Sequence, residues 1–323
     1  PTVILLTLAT LASLAASTTL LAAGGVLEIR VSDEASGEPV AVRMHLKDAR
    51  GKPVRPAGRP YWHDHFVFDG RTVLRLPVGN YTFEMERGPE YRLRTGNFFI
   101  EQGASDTKMV SMSRFVDMKK EGWWSGDLHI HRPLKDMPLL MLAEDLHIGP
   151  VITWWNKKNL WQNREIPDSL VTAVGTQRFY HSLAGEDERG GGALLYFNLK
   201  RPIQITDAER EYPSSAEYLI LSKKSSQVHV DIEKPFWWDV PMWVASGAVD
   251  SIGLCNNHMI RDRMYESEAW GKPRDTNRLA APLGNGLWTQ EIYYQLLETG
   301  HRIPPSAGSA SGVLPNPVGH NRV

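Results

Sequence analysis

From Val26 to about Met112, apolar and polar residues alternate in short runs: VLEIRV, PVAVRMHLKD, HFVFDG, TVLRLPVGNYTFEME and NFFIEQ. Turn residues separate the runs at Ser36 and Gly37, Gly51 and Lys52, Asp69 and Gly70, and Gly79 and Asn80. Successive side chains on a strand face opposite ways, so this period predicts a small antiparallel, Ig-like sandwich over residues 25–115. After Glu121 the period changes. Short apolar strands now alternate with helical segments near Pro138 to His147, Ser215 to Lys223, Val240 to Ser246 and Leu287 to Thr299. That succession predicts an α/β fold with a parallel sheet over residues 122–323.

A chain of 323 residues has room for two such domains. With 36 Lys plus Arg against 37 Asp plus Glu, its net charge of -1 lacks the basic footprint of a nucleic-acid binder. Cys255 is the single cysteine, so a disulfide within the chain and a thiolate zinc cluster are both excluded. Residues Pro1 to Ala23 carry no charge and end in small residues before Gly24. This shape reads as a signal peptide over 1–24 and a secreted or periplasmic protein, with no stable membrane span after cleavage; a membrane span is the weaker reading, because Thr, Ser and Ala are frequent. The start lacks Met and a basic flank, and the chain stops at Val323 within an irregular stretch, so both ends read as clipped.

The chemistry-bearing residues collect at the ends of the second region's strands, where an α/β barrel gathers its active site. In GDLHIH, His129 and His131 stand two residues apart on a strand and therefore share a face from which both can chelate one ion. Asp127 precedes them as an orienting carboxylate. Glu186 in AGED ends a later strand, next to glycines 190–192, and His258 follows another in LCNNHM. Metal ligation is thus expected of His129, His131, Glu186 and His258, and catalytic roles of Lys234 and Asp127. Trp154, Trp155, Asn257 and Trp237 are expected to contact substrate. Lys234 has two sensible states, an ammonium paired with Glu186 or Asp231, which is favoured, or a carboxylated ligand. In the sandwich, His63 and His65 read as a surface pair, since no other ligands stand near them in sequence. There is no GxSxG elbow, P-loop or dinucleotide fingerprint.

The string LPVGNYTFEMERGPEYR resembles the carboxypeptidase regulatory-like modules, which support or bind and do no chemistry. GDLHIH and the spaced strand ends resemble the PHP (polymerase and histidinol phosphatase) superfamily of metallohydrolases, and most of all its secreted CehA/McbA-like branch. His129 and His131 match that family's first motif, and Glu186 matches its glycine-carboxylate motif. The resemblance implies a distorted β/α barrel of about seven strands, and hydrolysis of esters or phosphoesters with bound Zn, Mn or Fe. The chain departs from the pattern at Thr153 to Asn156, where TDHN is usual, at Lys234 and Pro235, where HP is usual, and at SAGSASG, where Asp-x-His is usual. At most half of the ligand set remains, so one ion, zinc first, is expected over two.

The resulting expectation is a secreted metal-dependent hydrolase acting on a small-molecule or glycan-like substrate. The alternative is a catalytically inactive relative that binds carbohydrate or aromatic ligands on its tryptophans.

Overall fold

The computed structural model describes residues 24–205, 209–225 and 227–323, so the segment read as a signal peptide lies outside the described residues except for Gly24. The alternating front region forms eight strands: β1 (Gly24–Asp33), β2 (Ala41–Asp48), β3 (Tyr61–Trp62), β4 (His65–Asp69), β5 (Arg71–Pro77), β6 (Gly79–Glu86), β7 (Arg94–Ile100) and β8 (Ser105–Met112). They assemble into a three-stranded sheet, β5-β1-β8, and a five-stranded sheet, β3-β4-β2-β6-β7. Leu27, Ile29 and Val31 of the first sheet meet Val42, Met44, Leu46, Phe66 and Phe68 of the second in one core. This is a β-sandwich, and the alternation explains it, since every second residue of β1 and β2 is an inward apolar side chain. One departure from the antiparallel expectation is the β1/β8 pair, which runs parallel.

The second region carries β9 (Ile148–Trp155), β10 (Lys158–Asn159), β11 (Val171–Ala173), β12 (Phe179–Arg189), β13 (Gly192–Phe197), β14 (His229–Ile232), β15 (Ser251–Cys255), a small β16 (Met259–Ile260) and β17 (Arg263–Met264) pair, and β18 (Pro305–Ala307). Its helices are α1 (Met137–Ala143), α2 (Ser215–Ser222), α3 (Val240–Ala245) and α4 (Gly284–Glu298). The main sheet has the order β10-β9-β12-β13-β14-β15-β18, with β11 beside β12.

The expected β/α barrel is corrected by this topology. An α/β barrel needs parallel strands, each followed by a helix. Here β12, β13 and β14 pair antiparallel, and β12 passes to β13 through a tight hairpin without any helix. Among the described residues the chain is mainly β, with four α-helices beside its several sheets. The glycine run causes the reversal. At Gly192 the backbone has φ +132, and a Cβ there would meet the Trp237 ring at 2.3 Å, so only glycine lets β13 begin at this point.

The two regions share a core. Ala41 and Val67, on the outer face of the five-stranded sheet, pack with Met137, Leu140 and Met141 of α1 and with Ile130. Ion pairs surround that seam. Arg43 on β2 reaches Glu144 at 2.8 Å and also pairs with Glu86, while Arg261 contacts Glu86 at 2.6 Å. Asp145 collects Arg114 and Arg178.

Candidate metal centre

The segment Gly126–His131 lies along β9, with single bridges from Gly126 to Ile148 and from Ile130 to Val151, and another from Ile130 to Ser311. Ile130 is fully buried in the shared core, so strand alternation turns His129 and His131 together to the opposite side. Glu186 sits on β12 opposite Trp155 of β9 and Leu195 of β13. These neighbouring strands bring the three side chains together.

The His129 and His131 Nε2 atoms are 2.9 Å apart. Glu186 Oε2 lies 3.4 Å from the first and 3.1 Å from the second. All three side chains are buried or nearly so, and Glu186 Oε2 has no hydrogen-bond donor. Donors at about 2.0 to 2.1 Å from a tetrahedral ion stand about 3.3 Å from one another, so this spacing fits a single zinc-type cation.

On its other side, His129 presents Nδ1 to Glu233 Oε1 at 3.4 Å. Glu233 is held by the Lys234 ammonium and by Trp237 Nε1, which donates to Oε2 at 3.1 Å. A carboxylate behind a ligating imidazole sets the ring's orientation and raises its basicity. Sequence reading passed over Glu233 in this role, although the D-I-E alternation at the end of β14 puts Asp231 and, one residue past the strand, Glu233 on one side. Lys234 pairs with Glu233 instead of with Glu186 or Asp231.

The electrostatics follow from this crowding. Burial disfavours a charged His129, but Glu186 and Glu233 outweigh it and raise its pKa to about 10. Burial also opposes ionisation of Glu186, yet His129 and His131 hold its carboxyl well below the usual range. Glu233 is lowered to about 2 against the same burial penalty, by Lys234 and His129. Asp231 behaves oppositely. Burial pushes it up to about 7, although the Ser251 and Ser306 hydroxyls donate to it. Glu188 is raised to about 7 by burial and by Glu186 and Glu233.

The remaining sequence-derived positions divide between site and scaffold. Trp155 lines the site, with its ring centroid 5.0 Å from that of His131 and its Nε1 donating to Glu188 Oε2 at 3.1 Å. It also walls a cleft of about 450 Å³ with Asn156, Lys158, Glu188, Arg189 and Arg210. Trp154 is only 2% exposed and packs in the core beside Tyr196, against Gly185, where a Cβ would come within 1.8 Å of the indole. Trp237 is equally buried. Asp127 accepts from His129 N, Ser309 N, Ser309 Oγ and Gly319 N, at 3.0, 3.0, 2.6 and 2.7 Å, so it ties the HxH segment to the C-terminal strap and does not reach the cleft. His258 lies between Phe236 and Tyr265, outside the converging ligand group, and burial with Lys234 nearby lowers its pKa to about 3. Asn257 is buried and gives its carbonyl to Asn316 at 3.3 Å.

No protein family and no curated protein matches this chain. Among solved structures it is similar to the Bacillus anthracis TIE protein, at 21% identity over 35% of this chain and 20% of that one, with a TM-score of 0.23. The major pilin subunit BcpA of Bacillus cereus matches at 18% identity over 28% of this chain and 29% of that one, with a TM-score of 0.22. The pilus-presented adhesin Spy0125 (Cpa) matches at 12% identity over 28% of this chain and 27% of that one, with a TM-score of 0.20. The chain spans less than a third of each of these structures, and likeness at such scores carries no argument about fold or function.

Proposed function

We propose that the chain is a metal-dependent hydrolase of esters or phosphoesters, holding one divalent ion, zinc first, through His129, His131 and Glu186. The carrying observation is the convergence of three buried donors at 2.9 to 3.4 Å, one of them a carboxylate oxygen with no hydrogen-bond donor. When bound, such an ion supplies an activated water and polarises the scissile group. The chain's own residues do the positioning. Glu233 sets a negative charge 3.4 Å behind His129, Lys234 occupies the far side of Glu233 with its own positive charge, and Asp127 anchors the HxH segment. The cleft beside the Trp155 ring mixes Lys157, Lys158 and Arg210 with Glu188 and Glu209, and its Arg189 is already paired with Asp187, so it offers a substrate both donors and acceptors.

The resemblance of GDLHIH and AGED to PHP motifs supports the choice of reaction, and the uncharged leader-like run supports a secreted or periplasmic location. No described helix is long and apolar enough to cross a membrane. Ligand binding on a tryptophan platform has less support, because Trp154 and Trp237 are in the core. The test is elemental analysis of protein purified without chelator, followed by assay on nitrophenyl esters and phosphodiesters. One equivalent of metal at this cluster, with hydrolysis abolished by chelator and by Glu186→Gln, is the expected result. Chelator-resistant hydrolysis, or no metal affinity at this cluster, rules the reading out.

A further inference from the structure

A second convergence of imidazoles lies on the sandwich, away from the proposed hydrolytic site. His45 of β2 and His65 of β4 are direct cross-strand partners. Their sequence neighbours Met44, Leu46 and Phe66 fill the sandwich core, so both imidazoles project from the opposite face of the sheet. Asp64 completes the group from the two-residue turn between β3 and β4, where His63 takes φ 49. His63 is exposed and takes no part, so the histidine pair formed by the fold is not the one suggested by spacing.

Asp64 places one oxygen before each ring. Its Oδ2 is 3.1 Å from His45 Nδ1, and its Oδ1 is 3.2 Å from His65 Nδ1. One donor atom from each of His45, Asp64 and His65 lies within 4.8 Å of the other two, close enough for all three to reach one cation with modest side-chain adjustment. His45 is only 3% exposed, and neither of its ring nitrogens has a hydrogen-bond partner, the approach of Nδ1 to Asp64 being wrongly directed for one. A buried ring with two unpartnered nitrogens is costly unless something else engages it. Arg43 lies on the same face, but its guanidinium is engaged by Glu86 and Glu144. A cleft of about 360 Å³, lined by His45, Lys47, Thr82, Glu84 and Asn97, lies beside the group.

We propose that His45, Asp64 and His65 bind a second divalent cation of the zinc class, which acts structurally as a clip between β2 and the β3–β4 hairpin. Two imidazoles and one carboxylate favour zinc-type ions over calcium or magnesium, which prefer all-oxygen sites. The clip has a destination. Trp62 of the same hairpin donates Nε1 to Leu314 O at 2.7 Å and lies under Arg132 at 5.4 Å, the residue that follows His131. Fastening the hairpin therefore also fastens the sandwich against the segment that carries the hydrolytic ligands.

The test uses the full chain stripped of metal and titrated with Co(II), followed by its ligand-field absorption, with bound metal counted by elemental analysis. Glu186→Gln combined with His131→Ala disables the first cluster and is expected to leave one ion per chain. Adding His45→Asn and His65→Asn is expected to remove it. Asp64→Asn, which keeps the turn's shape, guards against misfolding and is expected to weaken the remaining ion at least tenfold. Zn(II) is expected to raise the Tm of the first-cluster variant in a concentration-dependent way, as for any ligand bound only by the folded state. The proposal is overturned if that variant takes up no Co(II), or if its spectrum and Tm shift survive loss of both His45 and His65. The outcome is separate from the hydrolase reading, which depends on the other cluster.

Discussion

The two imidazole clusters share donor types and differ in the charge around them. Beside the main sheet of the second region, His129 stands between Glu186 and Glu233, and its pKa rises to about 10 in spite of burial. On the sandwich, His65 faces one carboxylate, Asp64, with Arg43 near, and burial takes it down to about 3. Desolvation acts in the same direction at both sites and also lowers His131, so the two carboxylates that flank His129 reverse the sign at that ring alone. An excess of negative charge suits a site that must attract a cation and hold it where it can act on substrate. A balanced, neutral site suits an ion that only holds two strands together. The spacing of histidines in the sequence reports none of this.

The largest effect that can break the comparison comes from Arg43, which joins Glu86 and Glu144 beside the sandwich cluster. Arg43→Ala leaves the buried Glu144 without its partner at 2.8 Å, and is expected to reduce unfolding free energy by about 3–5 kcal/mol in a urea titration. The companion variant with Arg43→Met and Glu144→Leu should regain most of that loss. A cost below about 1 kcal/mol for the single change would show that the seam does not rely on this pair, as for exposed ion pairs.

A smaller effect is expected at Asp231, behind the first cluster. Its folded-state pKa of about 7 lies above the ordinary 3.8, so the folded chain holds a proton that the unfolded chain releases. That contribution is complete below about pH 4 and is lost as pH rises through about 7; its size is at most about 4 kcal/mol. Asp231→Asn keeps an acceptor for the Ser251 and Ser306 hydroxyls and should flatten the Tm profile across that window. An unchanged slope would assign the pH dependence to another group.

The smallest expected effect sharpens the comparison most. Glu233→Gln removes the carboxylate behind His129 and should weaken metal binding at the first cluster by about 10 to 100-fold, with ions at the sandwich cluster unaffected. Competition with a metal-sensitive dye reads the two affinities separately. Equal weakening at both clusters would contradict the distinction drawn between them.

Much of the sandwich was legible because one-sided burial writes itself into the sequence as alternation, as in LEIRV and VLRL. The helices also fell where apolar spacing put them, with α2 at Ser215–Ser222 and α3 at Val240–Ala245. Pairing direction was not legible. The strands FYHSLAGE and ALLYFNL read the same whether they run parallel or antiparallel, and the glycine hairpin between them decided it. The tryptophans show the same limit. Trp154 and Trp155 are adjacent in sequence and face opposite ways, one into the core and one toward His131.

The sequence by itself determined which side chains share a strand face, and so that His129 and His131 face the same side and that Ile130 turns away into the core. The tertiary structure alone decided that Glu186 and Glu233 flank His129, that Lys234 answers Glu233, and that His45 meets His65 while His63 stays outside. The physical reason is range. Face alternation is a local property of the backbone, repeated every two residues, whereas a ligand set depends on strand register and pairing, which are settled only when distant apolar faces find one another and exclude water.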